Sequence, residues 1–419
     1  RNHLQNKRKE FYDRMLSEHG YPELADLNSF SRTGSFGSES PIAIEDLSKL
    51  PFEKAVEKVS SWLPEGSRFT EPSIEGLASS FSDYINTNPV EFSTKASLLI
   101  DRPAIYVRTF ITQMGKALKD NQNINLDAIL DLCVWVVGRP VDERTTPEQD
   151  HQGLVDKSWQ WTREEIARLI EDICHTKADK APKYPLEPYR GKLWELIKSL
   201  CCDRAESYVV HDVSKDDPRN HDYLNLGINS PRGKAIKTAL EYARWVANHK
   251  KVSEGDKIII PGGFDVMPEV REMLEWQMAS ENRCIEVLAV IGSNMGLLYG
   301  LDKEWLKQNA ENLFHLDGIE NSPPDTIGWS AWNAFLVWTS PHYEYYKLFE
   351  SQFAYAVEQV GEVKISDSSR EQPMNRLGVH LMILYGQGQL GLDDSGGMLR
   401  KFIDNANPSI RRYTIGFVG

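Results

Sequence analysis

Apolar positions recur at spacings of three and four along nearly the whole chain, which is the period of helices with one buried face. Phe52, Ala55, Val56, Val59 and Trp62 form one stripe, and Ile74, Leu77, Ala78, Phe81 and Ile85 form the next. Ile105, Val107, Phe110, Ile111, Met114 and Leu118 form a third. Start signals stand in the breaks: Glu71-Pro72, Asn88-Pro89, Asp101-Arg102-Pro103 and Asn125. An Asn or Ser before a helix bonds the amides that its first turn leaves unpaired, and Pro presets the first helical φ. The segment Leu126 to Val137 is apolar on most sides, which predicts a central helix. The best-signalled element runs from Asn229 to His249. Ser230 stands at its cap, Pro231 at its first position, and Ala235, Ile236, Ala239, Leu240, Ala243, Val246 and Ala247 fill its buried face.

Helical stripes also cover Trp159 to His175, Tyr189 to Cys202, Met267 to Met278, Arg283 to Leu298, Asp302 to Phe314, Trp329 to Trp338, Tyr343 to Val360, Gln372 to Tyr385 and Gly396 to Asn405. Ile258-Ile259-Ile260, ended by Pro261-Gly262-Gly263, is the one short strand candidate. About sixteen helices with so little strand alternation exclude an α/β core and predict an all-α fold. Antiparallel pairs of about 40 residues each are what an α-solenoid of the HEAT or TPR kind requires, and an irregular helical array is the alternative. Residues 1–41 read as an N-terminal helix followed by a Gly/Ser-rich linker, SFSRTGSFGSES. Residues 42–419 read as the helical-repeat domain, with the long polar break at 203–228 as a candidate subdivision.

Charge narrows the partners. With 61 acidic against 48 basic residues the formal charge is −13, which opposes binding to nucleic acid or to an anionic membrane. No apolar run reaches the ~18 residues of a spanning helix. The five cysteines, Cys133, Cys174, Cys201, Cys202 and Cys284, contain no CxxC pair and read as buried thiols in a reducing, cytoplasmic setting. The first residue is Arg1, and the last segment begins a helix that is cut short, so a fragment of a longer polypeptide is expected.

Two nucleotide-like spellings fail on their spacing. Gly227-Ile-Asn-Ser-Pro-Arg-Gly233-Lys234-Ala235 places five residues between its glycines, one of them Pro, and puts Ala where a phosphate loop needs a hydroxyl for Mg²⁺. Gly386-Gln-Gly388-Gln-Leu-Gly391 is followed by a turn, whereas a dinucleotide site needs a helix there. No cofactor is expected. Adjacent carboxylates such as Glu164 and Glu165 point in different directions from a helix, so they do not make the facing pair of a glycosidase.

Two regions are candidates for partner contact. The polar break carries His211, Asp216, Asp217 and His221, whose irregular spacing suits a solvated acidic loop better than a metal site. Aromatics crowd between Trp329 and Tyr355. Trp329, Trp332, Phe335 and Leu336 share one face, as do Tyr346, Phe349, Phe353, Val357 and Val360, and both faces read as core. Trp338 and Tyr343, beside the Thr339-Ser340-Pro341 break, are free of that requirement and are candidate anchors.

The succession Leu47-Ser-Lys-Leu-Pro-Phe-Glu53, Pro72-Ser-Ile-Glu-Gly-Leu77, Tyr106-Val-Arg108, Leu132-Cys-Val-Trp135, Trp159-Gln-Trp161-Thr-Arg163, Asn229-Ser-Pro-Arg-Gly-Lys-Ala235 and Met267-Pro-Glu-Val-Arg271 resembles the C-terminal helical-repeat region of large bacterial antiviral STAND NTPases. The resemblance runs from about Ile42 to the end and is carried by packing and turn residues, so it implies architecture and assigns no ligand-contacting residue. It implies a sensor that docks a viral protein, such as a phage structural or packaging protein. The NTPase part then oligomerises and switches on an effector, both located elsewhere in the full chain. The expectation is therefore a non-enzymatic sensing module. A structural scaffold or oligomerisation arm and an α-helical hydrolase are the alternatives.

Overall fold

A computed structural model describes residues 39–63, 72–139, 159–175, 182–203, 217–254, 257–316, 326–363, 372–393 and 397–417, with four isolated positions near the N-terminus. His211 and Asp216 lie outside the described residues, as does nearly all of the helix and linker expected over 1–41. Among the described residues the fold is all-helical except for one two-stranded hairpin, Val252–Glu254 paired antiparallel with Lys257–Ile259, whose second strand takes in Ile258 and Ile259 of the expected run.

The helices, numbered in chain order, fall into two rows. The first row contains α1 (Ile44–Leu47), α3 (Ile74–Thr87), α5 (Ala104–Lys119), α7 (Gln160–Cys174), α10 (Pro231–Lys250), α12 (Ile285–Ser293), α15 (Thr326–Trp338), α18 (Pro373–Gly386) and α20 (Pro408–Gly416). Each of these packs against the next one in the row. The second row begins with α2 (Phe52–Ser61), a 3-10 turn at Ala96–Leu99, α6 (Leu126–Val137) and α8 (Leu186–Cys201), also packed in succession. It continues through α11 (Pro268–Met278), α14 (Lys303–Phe314), α17 (Glu350–Gln359) and α19 (Met398–Asn405). Side chains join these last members. Arg190 of α8 pairs with Glu269 of α11 at 2.8 Å, Trp305 of α14 donates to Glu275 of α11 at 2.9 Å, and the Phe314 and Phe349 rings meet at 4.9 Å. The remaining short helices, α4 (Pro89–Ser93), α9 (Leu224–Asn229), α13 (Met295–Leu301) and α16 (Tyr343–Leu348), turn the chain between rows.

Local chemistry accounts for the boundaries. Ser230 accepts a bond from the Gly233 amide with Pro231 at the first helical position, and Asn125 and Asn88 cap α6 and α4 in the same way. Each such cap contributes about 1 kcal/mol. Two expected single helices are each broken in two. At Asn294 the side-chain amide donates to the Val290 carbonyl, and the backbone leaves helical geometry at φ −107° and ψ 23°. At Phe349 (φ −118°, ψ 30°) the break lets a fully buried ring pack against Phe314 and Phe335.

One hydrophobic cluster runs from Ile42 to Ile410 and crosses the 203–228 break, because α10 packs on both α7 and α8. The expected aromatic faces lie in it: Trp329, Trp332, Phe335, Tyr346, Phe349 and Phe353 are all buried. Full burial of such a side chain contributes about 2–3 kcal/mol. Arg163 adds a polar tie, pairing with Asp203 at 2.7 Å and donating to the Val137 and Ser199 carbonyls of α6 and α8.

Candidate functional site

The structure gathers three of the expected partner-contacting residues on one patch. Residues 217–223 form a strap laid across α15 and α18, built on a 3-10 turn at Pro218–Asn220. Asp217 caps that turn by accepting from the Arg219 amide at 3.1 Å, and its carboxylate takes the Arg219 guanidinium at 2.9 Å. Arg219 extends to Gln359 at the end of α17 and to Glu362 past it. Asn333, wholly buried in α15, donates to the Pro218 and His221 carbonyls at 2.8 and 2.9 Å. Asn220 accepts from the Met374 amide at the start of α18. The His221 ring lies 4.4 Å from Tyr223, and the Trp338 indole donates to Asp222 at 2.8 Å.

The Asn333 side chain is enclosed, whereas the Arg219–Glu362 and Trp338–Asp222 bonds lie at the surface. Asp217 is a structural cap and ion-pair partner, while Trp338 keeps 55% of its surface exposed and offers a wide apolar face on the patch. Tyr343 belongs to different surroundings: its ring stacks on Tyr346 at 6.1 Å and carries the Lys347 ammonium at 5.0 Å.

Of the two nucleotide-like spellings, the first is a helix contact and the second a helix end and turn. A methyl on Gly233 would sit 2.0 Å from the Gly227 carbonyl, so these glycines let α9 and α10 touch. Lys234, placed where a phosphate would need it, pairs with Glu164 of α7. Gly386 ends α18, and Gly388 takes a positive φ of 68° in the following turn.

The sequence reading passed over a second surface, the face shared by α5 and α7. Thr162 donates to the Ala104 carbonyl at one end and Lys119 pairs with Asp172 at the other, so the two helices run parallel. Arg108, Thr112, Gly115 and Lys119 line the edge of α5 at intervals of four, three and four, facing Trp161, Glu165, Arg168 and Asp172 of α7 at the same intervals. The eleven steps from Arg108 to Lys119, at 1.5 Å each, make a track about 16 Å long. At its head the Arg108 guanidinium lies 5.0 Å from the ring centre of Trp161, which is 45% exposed. Farther along, a groove of about 290 Å³ opens over Ile111, Gly115 and Leu169.

The charges in this groove differ in how firmly they are held. Asp172 and Glu165 are only 17% and 15% exposed, whereas their partners Lys119 and Arg168 are 59% and 55% exposed. Burial raises the Asp172 carboxyl above its ordinary range, and the nearby Lys119 opposes this. The carboxylates therefore belong to the wall, and the cations are arms resting on it.

No protein-family profile, curated protein or solved structure matches this chain. Among the described residues no three His, Cys, Asp or Glu side chains gather around a metal position, and no helix is long and apolar enough to cross a membrane. Burial pushes the Cys133 thiol up to about 12 and the Cys284 thiol to about 11, which leaves both protonated and poorly nucleophilic at neutral pH. Both surfaces present tryptophan beside arginine or carboxylate, the side-chain types enriched where proteins dock on proteins.

Proposed function

We propose that this chain is an α-solenoid of HEAT/TPR-like helix pairs that recognises a protein ligand and does no chemistry itself. Stacking each first-row helix on the next supports the solenoid reading: the rows bury one another and leave a continuous outer face. On that reading the chain is the sensing part of a bacterial antiphage defence protein. A phage structural or packaging protein is its ligand, and the NTPase and effector lie elsewhere in a longer, cytoplasmic polypeptide. The resemblance from Ile42 onward supports this assignment.

The observation that carries the docking reading is the α5/α7 track. An exposed Trp161 under Arg108 leads into a groove with an apolar floor and charged walls. A large flat ring anchors a partner at low conformational cost, and such anchors dominate binding energy. The test is to immobilise the chain and present purified phage capsid, portal and terminase proteins one at a time. One of them is expected to bind, with Trp161→Ala weakening it at least tenfold and Trp338→Ala weakening it by less. Absence of binding to every one of these proteins would remove the sensing assignment.

A further inference from the structure

We propose that the groove between α5 and α7 receives an acidic segment of the docked protein, with one aliphatic side chain seated on the floor and its neighbouring carboxylates on the cations of the rim. The inference rests on the docking reading and adds the chemistry of the contact. Three observations converge on it. The first is the balance of charge. Four cations, Arg108, Lys116, Lys119 and Arg168, stand along the track against two carboxylates, Glu165 and Asp172. Both carboxylates are set into the wall and each already holds an arm, Arg168 on Glu165 and Lys119 on Asp172. Among the described residues no carboxylate pairs with Lys116, or with Arg108, whose guanidinium rests on Trp161. The rim is therefore positive in excess, although the chain as a whole carries −13.

The second observation is the reach of these cations. Lys116, Lys119 and Arg168 are all exposed. An ammonium has three N–H groups and a guanidinium five, so an arm resting on a wall carboxylate keeps donors that can turn outward. Turning them costs little, because exposed ion pairs contribute little. A carboxylate arriving at the rim meets these donors, whereas an arriving cation would be repelled by all four. The third observation is the floor over Ile111, Gly115 and Leu169. An apolar centre inside a charged rim is the anatomy of a docking surface. Gly115 keeps that centre open. Two buried helical glycines elsewhere cannot accept a methyl: on Gly292 it would stand 2.1 Å from the Ala331 carbonyl, and on Gly328 2.3 Å from the His315 carbonyl. At Gly115 it would meet only Asp172 at 3.6 Å and Leu169 at 3.8 Å, which are ordinary contacts. Helix packing therefore does not demand a glycine here, and its missing side chain leaves room for one from the ligand. An extended chain advances about 3.3 Å per residue, so a segment of five residues fits within the track of about 16 Å.

Fluorescence anisotropy with a labelled Glu-Glu-Leu-Glu-Glu amide at physiological ionic strength tests this, beside Gln-Gln-Leu-Gln-Gln and Glu-Glu-Gly-Glu-Glu. The parent chain is expected to bind the first peptide at least tenfold more tightly than either of the others. The net charge of −13 repels acidic peptides, so non-specific attraction cannot mimic the result. Lys116→Gln and Arg168→Gln are each expected to weaken the first peptide at least threefold. Lys307→Gln, an equal charge change on exposed α14 surface, is expected to leave it within twofold. Gly115→Ala changes no charge and is expected to weaken it at least fivefold with an unchanged or higher thermal midpoint, so a folding defect cannot account for the loss. Equal affinity for the three peptides, or no binding of the first at millimolar concentration, would overturn the proposal. So would an equal loss in Lys307→Gln, or no loss in Gly115→Ala and Arg168→Gln. If a phage protein is captured and these last two chains capture it equally well, the groove assignment fails while the docking reading stands. If no phage protein is captured but the peptide pattern holds, the groove assignment stands and only the phage assignment fails.

Discussion

The strap over α15 and the groove between α5 and α7 are both polar surfaces with a tryptophan at one end, but they are built in opposite ways. In the strap, Arg219, Asn220 and Asn333 meet partners from distant parts of the chain and Asp217 holds Arg219 in place, so the polar chemistry holds structure. In the groove, the pairs Lys119–Asp172 and Arg168–Glu165 join a wall carboxylate to an exposed arm, so the chemistry can be exchanged for that of a ligand. Buried polar groups that lose a partner cost about 1–3 kcal/mol each, whereas exposed ion pairs cost little to open. A surface is therefore available for recognition when its polar atoms have replaceable partners, and the number of polar atoms alone does not decide this.

Glycine gives the sharpest way to break that contrast, because the same substitution should act with opposite sign in the two regions. Gly292 of α12 lies against α15, the helix that holds the strap, and a methyl there would stand 2.1 Å from a backbone oxygen. Backbone cannot rotate away as a side chain does, so the two helices must separate. Gly292→Ala is expected to destabilise the chain by about 3 kcal/mol, at the upper end of overpacking costs. Urea unfolding measures this, and a change below about 1 kcal/mol would show that α12 and α15 are not in close contact.

Acidification should separate the regions next. Burial depresses the His380 imidazole to about 4, with Arg376 adding to the effect, while its bond to the Leu336 carbonyl at 2.9 Å opposes it. The unfolded state then binds more protons than the folded state between the ordinary histidine value near 6.5 and about 4. This contribution is complete above the ordinary value and is lost as the pH falls through that window, by on the order of 3 kcal/mol. Asp172 has the opposite sign: its raised carboxyl opposes folding when ionised, and that penalty is relieved as the pH falls through its folded value. His380→Gln is expected to flatten the loss of stability between pH 7 and pH 4.5, and Asp172→Asn to steepen it. Unfolding curves at several pH values check both slopes.

The sequence showed what is local. Ser230, Asn125 and Asn88 cap the helices whose starts they signal, and the aromatic faces of 329–336 and 346–360 are core, because periodicity and capping depend on neighbours within a few residues. The breaks at Asn294 and Phe349 were hidden, since they depend on a side chain turning back on its own helix and on a ring seated among distant rings. Asp217 read as one charge of a solvated loop because its wider network, Gln359 and Glu362, lies far along the chain. The groove was half legible. The spacing of Trp161, Glu165, Arg168 and Asp172 is visible in the sequence, and so is that of Arg108, Thr112, Gly115 and Lys119. That the two lists face each other depends on α5 stacking on α7 across the intervening α6, which no local pattern encodes.

The smallest expected effect bears on the groove side of the glycine contrast. Gly115 lies inside α5, where glycine costs about 1 kcal/mol relative to alanine through backbone entropy in the unfolded chain. The methyl of Gly115→Ala would meet Asp172 and Leu169 at van der Waals distance and exclude water from part of the groove, so no clash offsets that gain. A stabilisation of about 0.5–1 kcal/mol is expected, read as a raised urea midpoint with an unchanged slope. A stabilising change that also removes a binding surface is what a groove kept open at the expense of folding predicts. A destabilising Gly115→Ala would instead place this glycine with Gly292, as a residue required by helix contact, and the difference between the two regions would disappear.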